Sequence, residues 1–296
     1  MDQYLVLDVG GTYIKYALMT PDLIIEKGEV LTPLDNSEHL IDTLTQIYKK
    51  YENIAGFALS VPGRIDIHKG IMHTGGNLSY IKDFPLKEIL SKHCSVKISM
   101  ENDGKCAALG EAWKGSLQGV QQGLAIVLGT GIGGGIIVNG QLLRGHTYAA
   151  GELSLIPLSV VDIGTEEPFL WAHMCGTMGL TEVYEKEKNL PHESMNGRQF
   201  FDLANAKDET ALKVLAQFAR SFALGVMGVQ AVLDTQVITV GGGISAQPLL
   251  IESLQKAVDV LYDQYKKMPI SKPKIIRCAF GNDSNLYGAL YHHLYE

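Results

Sequence analysis

The sequence predicts an α/β protein of two half-domains, and three observations carry that prediction. Two glycine-rich turns each lie between apolar strands. One is Tyr4-Leu-Val-Leu-Asp8-Val-Gly10-Gly11-Thr12, continuing into residues 13–19. The other is residues 124–128 followed by Gly129-Thr130-Gly131-Ile-Gly133-Gly134-Gly135, continuing into 136–140. The order of elements after each turn is the same (meander, helix, strand, helix), a weak duplication in element order rather than in residue identity. The length of 296 residues is enough for two domains with separate cores. A strand, a glycine turn and a returning strand gather backbone N–H groups around a concavity that binds phosphate without a lysine. Two such nests in one chain suggest two halves closing on one nucleotide.

The elements follow in order. Residues 3–31 read as a meander of strands 4–8, 12–19 and 23–30, with Pro21-Asp22 turning the chain before the third. From about 37 to 51, Leu40, Ile41, Leu44 and Ile47 recur at helical spacing. A short apolar strand, 54–60, ends at Val61-Pro62-Gly63. Strand 96–100 leads through Glu101-Asn102-Asp103-Gly104 into a helix over 106–113, with Asp103 where an N-cap belongs. Clustered Gly115, Gly119 and Gly123 mark a boundary near 114–122. A hairpin spans 124–143, and 158–170 reads as a loop. A long helix covers about 210–232, with Gly225 and Gly228 as a close-packing face. Strand 237–240 ends in Gly241-Gly242-Gly243, and a helix over 286–293 closes the chain.

Composition narrows the function classes. Hydrophobic residues at 46% and charged residues at 19% are those of a soluble globular protein. A net charge of −7 argues against nucleic acid or an anionic membrane as the main partner. No apolar run is long enough to span a bilayer and the N-terminus lacks signal-peptide features, so a cytoplasmic location is expected. The four cysteines, Cys94, Cys106, Cys175 and Cys278, contain no CxxC pair and read as free, buried thiols.

Gly129, Gly131 and Gly134 fit GxGxxG, which raises a nicotinamide dehydrogenase as a distant alternative. That fingerprint needs a helix to open at the glycines, whereas Ile136-Ile-Val-Asn-Gly140 is β-branched and ends in a hairpin signal. A Walker loop fails too, since no Gly-Lys-Ser/Thr occurs. Either glycine turn alone is also compatible with a plain tight hairpin. Asp8, at a strand end beside a nest, can hold Mg²⁺ through water. Asp103 suits both an N-cap and a general base taking a proton from a substrate hydroxyl, and a helix N-terminus keeps it ionised. Asn102, a donor and an acceptor, can grip a second hydroxyl. Glu152 and His146, just past the hairpin, read as exposed polar groups, with Gly151 a weak hint of a ligand beside Glu152.

Together these segments resemble one family. Asp8-Val-Gly-Gly-Thr12, Glu101-Asn-Asp103 with Ala107 and Gly110-Glu111, Leu128-Gly-Thr-Gly-Ile-Gly-Gly-Gly135, Ala150-Gly-Glu152 and Gly241-Gly-Gly-Ile244-Ser245 occur in the order of the ROK family (repressors, uncharacterised frames and sugar kinases). The resemblance covers nearly the whole chain. It implies the actin-like ATPase (ribonuclease H-like) fold, with ATP and sugar in a cleft between two α/β domains. The smaller sugar and phosphate domain would be 1–117 plus the C-terminal helix, about 284–296, and the larger nucleotide domain 118–283. The implied reaction moves the γ-phosphate of Mg-ATP to a sugar hydroxyl, usually the 6-hydroxyl of a hexose.

Carried over by position, the resemblance makes Asp103 the base and Asn102, Glu152 and Glu182 sugar ligands, with Gly63 and Asn77 in sugar-side segments. Gly10, Gly11, Thr12, Lys15, Thr130, Gly131 and Gly133 would serve the phosphates, Asp8 the magnesium, and Gly242 and Gly243 the adenosine. A homodimer is implied by resemblance only.

Two departures shape the expectation. Many family members hold a structural zinc through a histidine soon after the Gly-Glu pair and a cysteine-rich segment. Leu155 occupies that histidine position here, and His173-Met-Cys175-Gly-Thr-Met-Gly179-Leu180 keeps one cysteine. The pair cannot complete a four-ligand site, so no zinc is predicted and packing of Leu155, Trp171, Met174 and Leu180 must hold the loop. Family repressors place a DNA-binding helix-turn-helix before the first nest, which this sequence reaches by residue 8, so no DNA binding is expected. Loss of the zinc ligands resembles the β-glucoside kinase branch. Glucokinase and N-acetylmannosamine kinase are the rivals within the family, and a non-catalytic sugar sensor is the rival from another class. Loops around 64–80 and 155–180 are expected to shape the pocket.

Overall fold

Two five-stranded sheets with the same strand order organise the chain. The computed structural model describes residues 2–159, 168–265, 267 and 269–296. In the first half, β1 (Tyr4–Val9), β2 (Tyr13–Met19) and β3 (Ile24–Leu31) form an antiparallel meander. Helix α1 (Ser37–Tyr48) follows, then β4 (Gly56–Val61). A small antiparallel sheet of β5 (Ile65–Asp66), β6 (Ile71–Thr74) and β7 (Lys82–Phe84) precedes α2 (Leu86–Leu90), β8 (Lys97–Asn102) and α3 (Asp103–Lys114). The main sheet runs β3-β2-β1-β4-β8, with β4 parallel to both β1 and β8.

The second half repeats this plan. Its strands are β9 (Gln122–Leu128), β10 (Ile132–Val138) and β11 (Gln141–Leu143), then β12 (Val237–Gly241) and β13 (Lys274–Arg277), ordered β11-β10-β9-β12-β13. The helices are α4 (Trp171–Cys175), α5 (Thr177–Lys188), α6 (Gly197–Asn205), α7 (Glu209–Leu233), α8 (Pro248–Gln264) and α9 (Ser284–Tyr295).

Each sheet is covered on both faces, so its central strands are apolar throughout rather than alternating. On one face of the first sheet, Leu5, Leu7, Phe57 and Leu59 pack with Leu40, Leu44 and Ile47 of α1. On the other, Val6, Ala17, Met19 and Ala58 meet Leu286, Ala289 and Leu290 of α9, and Cys106 of α3. In the second half, Leu124, Ile126 and Leu128 pack on Phe218, Phe222 and Val226 of α7. Each such large side chain contributes about 1.5–3 kcal/mol by leaving water. The opposite face, through Ala125 and Ile137, receives Ala108 and Leu109 of α3.

Helix α3 therefore touches both halves, and α9, the last element, lies on the first sheet. The two helices meet through glycines. A Cβ on Gly288 would come within 1.7 Å of Cys106 O, and one on Gly110 within 2.3 Å of Ser284 O.

Several expectations change. Asp103 is not the N-cap of α3. Asn102 is, its side chain accepting from Lys105 N, and Asp103 is the first helical residue. Gly225 makes the close contact read for it, since a Cβ there would meet the Trp171 ring at 2.2 Å. Gly228 does not, for its Cβ would face open space. Leu155 is 62% exposed and packs nothing, whereas Trp171 and Leu180 are fully buried and Met174 packs against that core. The segments expected as loops over 64–80 and 155–180 include β5, β6, α4 and the start of α5. Of the loop expected over 158–170, residues 160–167 lie outside the described residues, and Leu170 bridges to Pro157 beside them. Helix α7 is long and apolar enough to cross a membrane, but much of it is buried in the second core.

Candidate active site

Three neighbouring strands deliver polar side chains at their carboxyl ends, where open α/β sheets bind ligands. The register pairs Asp8 of β1 with Ser60 of β4, and Val61 of β4 with Asn102 of β8. Asp8, Ser60 and Asn102 are all buried. Asp8 Oδ1 accepts from Ser60 Oγ at 2.8 Å and from Asn285 Nδ2 at 2.9 Å. Among the described residues no hydrogen bond reaches Oδ2, which leaves one carboxylate oxygen available to a cation's water. Burial raises the Asp8 pKa, and the bonds from Asn285 and Ser60 oppose the rise.

Asp103 follows on the first turn of α3. Its Oδ1 accepts from Gly104 N at 2.8 Å and Asn102 Nδ2 at 2.9 Å, while the same amide group donates to Gly63 O at 2.9 Å. Gly63, at φ +88°, could carry no other side chain, because a Cβ there would lie 2.1 Å from Thr74 O. The Asp103 carboxyl is pushed up to about 6 by burial first, then by the nearby charge of Asp8, with Glu152 adding to it. The Gly104 N–H and the Lys105 cation oppose the rise. A carboxylate with that pKa is ionised at neutral pH yet basic enough to accept a proton. Lys105 is a residue the sequence reading passed over: it is 1% exposed, and among the described residues its Nζ makes no hydrogen bond.

Several of the other predicted residues line three cavities. One, of about 170 Å³, is lined by Asp8, Lys15, Gly241, Gly242, Gly243 and Asn285, among others. Asp8 and Lys15 are cross-strand partners there. A wider cavity of about 450 Å³ runs from Gly129 and Gly243 to Asn196, Arg198, Phe201 and Gln247. Glu182 lines a further cavity with Thr130, Thr177 and Asn196, and is not among the groups acting on Asp103. Asn196, Arg198 and Gln247 were missed. Asn196 had a legible signal, since it caps α6 with Gln199 in a reciprocal box.

The glycine turns are closed by their own backbone. Gly10 N donates to Tyr13 O at 3.0 Å and Gly129 N to Gly131 O at 3.0 Å, so those two amides shape the turns. Asn77 lies against the first turn, its Nδ2 2.8 Å from where a Cβ on Gly11 would stand. Thr12, Thr130 and Gly131 are exposed, Gly133 is half-buried in β10, and His146 is exposed.

A loop with three left-handed residues, Gly145, Tyr148 and Gly151, carries the half-buried Glu152. No group of three or more metal-ligating side chains occurs among the described residues. His173 Nδ1 accepts from Leu170 N, while the Cys175 thiol is buried against Phe218 O.

A match to the ROK family model covers residues 4–294. The chain is 31% identical to a glucokinase of Halalkalibacterium halodurans, over 96% of this chain and 93% of that one. It is 27% identical to a β-glucoside kinase of Listeria monocytogenes, over 98% and 96%. A ROK family protein from Streptococcus pneumoniae TIGR4, solved in complex with sucrose, superposes with a TM-score of 0.86 at 31% identity, covering 98% of this chain and 96% of that one. With these neighbours the two matched sheets are those of the actin-like ATPase fold.

Proposed function

The chain belongs to the ROK family and is a sugar kinase, and from that premise we propose that it transfers the γ-phosphate of ATP to the 6-hydroxyl of a hexose or β-glucoside, with Asp103 as general base. The observation that carries the reading is the Asp103 carboxyl, raised to about 6 beside Asp8 and Glu152 on a buried helix start. In the proposed step the Asp103 carboxylate takes the hydroxyl proton, the sugar oxygen bonds to the γ-phosphorus, and ADP leaves with the electrons of the broken P–O bond.

Asp8 fits a magnesium held through water, since both its donors share one oxygen. When bound, that ion neutralises charge on the β- and γ-phosphates. Asn102, Glu152 and Glu182 are proposed to hold sugar hydroxyls, and Gly63 and Asn77 to border the sugar. Gly10, Gly11, Thr12, Lys15, Thr130, Gly131 and Gly133 would surround the phosphates. Gly242 and Gly243 would underlie the adenosine, with Arg198 and Gln247 across the wider cavity. No role is proposed for zinc or nucleic acid, and a homodimer follows from family likeness.

The β-glucoside branch is the preferred substrate class. Its support is Leu155 at the zinc-histidine position and the β-glucoside kinase of Listeria monocytogenes, 27% identical over 98% of this chain. Glucokinase is the second reading, favoured by the Halalkalibacterium enzyme at 31% identity. ADP release with Mg-ATP across glucose, mannose, N-acetylmannosamine, N-acetylglucosamine, cellobiose and gentiobiose separates them. Turnover concentrated on cellobiose or gentiobiose is expected. Turnover confined to N-acetylated sugars would overturn the substrate class, and turnover on none, with ATP bound, would overturn the activity.

A further inference from the structure

We infer that Arg144 is a positioning residue that joins the two sides of the proposed sugar site, through its guanidinium on one side and its carbonyl on the other. The residue follows β11, at the edge of the second sheet. Its Nε donates to Glu101 Oε2 at 2.6 Å, across to the end of β8 in the first sheet. Glu101 is 1% exposed, and its other oxygen accepts the Asn102 N–H at 2.8 Å. A carboxylate so buried needs hydrogen bonds or a countercharge, and Arg144 supplies both. The guanidinium thereby fixes the group that holds the backbone of Asn102, next to Asp103. The second arm of the fork pairs with Glu296, which also takes His292 Nδ1 at 3.0 Å.

The backbone of Arg144 serves the other side. Its carbonyl accepts Ala150 N–H at 3.1 Å and closes the loop that ends at Glu152. The loop has little freedom beyond that bond. A Cβ on Gly145 would stand 3.1 Å from Ala150 Cβ, and one on Gly151 2.8 Å from Gly134 O. Tyr148 is held at φ +64°, a conformation that costs energy for a residue with a side chain, and its ring meets the ring of His68 in the first half edge-on, with 6.4 Å between centroids. One residue thus connects Asn102–Asp103 to Glu152, residues from different halves of the chain. The planar fork reaches Glu101 through Nε and Glu296 through Nη2 in one fixed geometry, which a lysine ammonium does not reproduce.

The inference rests on the reading of Asn102, Asp103 and Glu152 as the sugar site, and its test separates the two. In the full-length protein, Arg144→Gln should raise the KM for the accepted sugar by at least about tenfold, as misplacement of binding groups does. The KM for ATP should stay within about twofold, and peptides over 145–152 should exchange amide hydrogens faster in the ligand-free protein. Arg144→Lys, which keeps one ion pair, should fall between. Where Arg144→Gln fails to fold, the Glu101→Gln/Arg144→Gln pair, which leaves no buried charge unpaired, carries the same measurements. An unchanged sugar KM would overturn the inference, as would sugar and ATP KM rising together with exchange faster throughout the chain. If the wild-type protein phosphorylates no sugar, the kinase reading fails by itself and exchange alone decides: unaltered protection over 145–152 removes the role of Arg144.

Discussion

Asn285 Nδ2 lies 2.9 Å from Asp8 Oδ1, so the first turn of the last helix fixes a carboxylate on the first strand. The loop before Asn285 is held in turn by Glu111, which is fully buried in α3. Its carboxylate accepts from Ala279 N at 2.9 Å, Phe280 N at 3.2 Å, Ser284 Oγ at 2.7 Å and Ser116 N at 2.7 Å. The proposed nucleotide end of the site is therefore assembled from the first strand, α3 and the last helix by buried polar contacts.

Asn285→Ala should loosen Asp8 without touching the sugar side. The magnesium concentration needed for half-maximal rate should rise by about tenfold, the scale of losses when a partner of a metal-binding group is removed. The sugar KM should not move. Magnesium titration of the initial rate checks this, and equal change in both would show a general loss of structure.

Glu111→Ala removes the acceptor that three backbone N–H groups and the Ser284 hydroxyl share. Since each unsatisfied buried donor costs about 1–3 kcal/mol, a loss of about 3 kcal/mol or more is expected. Urea unfolding followed by tryptophan fluorescence measures it. A loss below about 1 kcal/mol would mean the loop finds other partners.

The rate should fall on acidification through about pH 6, because Asp103, the proposed base, must be unprotonated to accept a proton and its carboxyl is pushed up to about 6. Lys105 opposes the rise in that pKa. Lys105→Met removes the cation while keeping most of the volume, so Asp103 should hold its proton more tightly and the acid limb should move to higher pH. The pH profile of kcat/KM in both proteins checks the sign. A limb that moves to lower pH would contradict the arrangement.

His293 makes stability depend on pH in the opposite sense from Asp103. Burial first, then the positive charge of Lys97, pushes its pKa down to about 4 from 6.5. Its Nδ1 lies 2.8 Å from Ser99 Oγ, and Gly56 leaves room for the ring. The unfolded chain binds the proton more readily, so this contribution is complete above about pH 6.5 and is lost as pH falls towards 4. Its full size is on the order of 3 kcal/mol. Asp103, with a raised pKa, gains stability over part of the same range, so the test is a difference. The fall in Tm from pH 7 to pH 5 should be smaller in His293→Asn than in wild type. An equal fall would show that His293 is not held neutral.

The parts of this fold legible in the sequence are those where local and tertiary demands agree. The two meanders, α1, α3, α7 and the order of elements could be read because their apolar periods match their burial. Asp8, Asn102 and Asp103 stood out at strand ends. Helices α5, α6 and α8 were not read, although Pro248 at the start of α8 and Asn196 before α6 are start signals. Nor could the sequence show that Glu101, Arg144 and Glu296 meet, because their pairing spans 43 and 152 residues. Leu155 was misjudged for a related reason: an apolar residue in place of a polar one suggests packing, but its side chain has nothing to pack on and is exposed.

The most direct test of the account is ADP release by Asp103→Asn on the sugar that the wild-type protein prefers. The amide keeps the side-chain shape but cannot accept the hydroxyl proton. A fall in kcat of roughly 10²–10⁴-fold, with sugar and ATP still bound, is the result predicted for a lost general base. Near-normal turnover by a folded Asp103→Asn protein would contradict it, and another group would then have to take the proton.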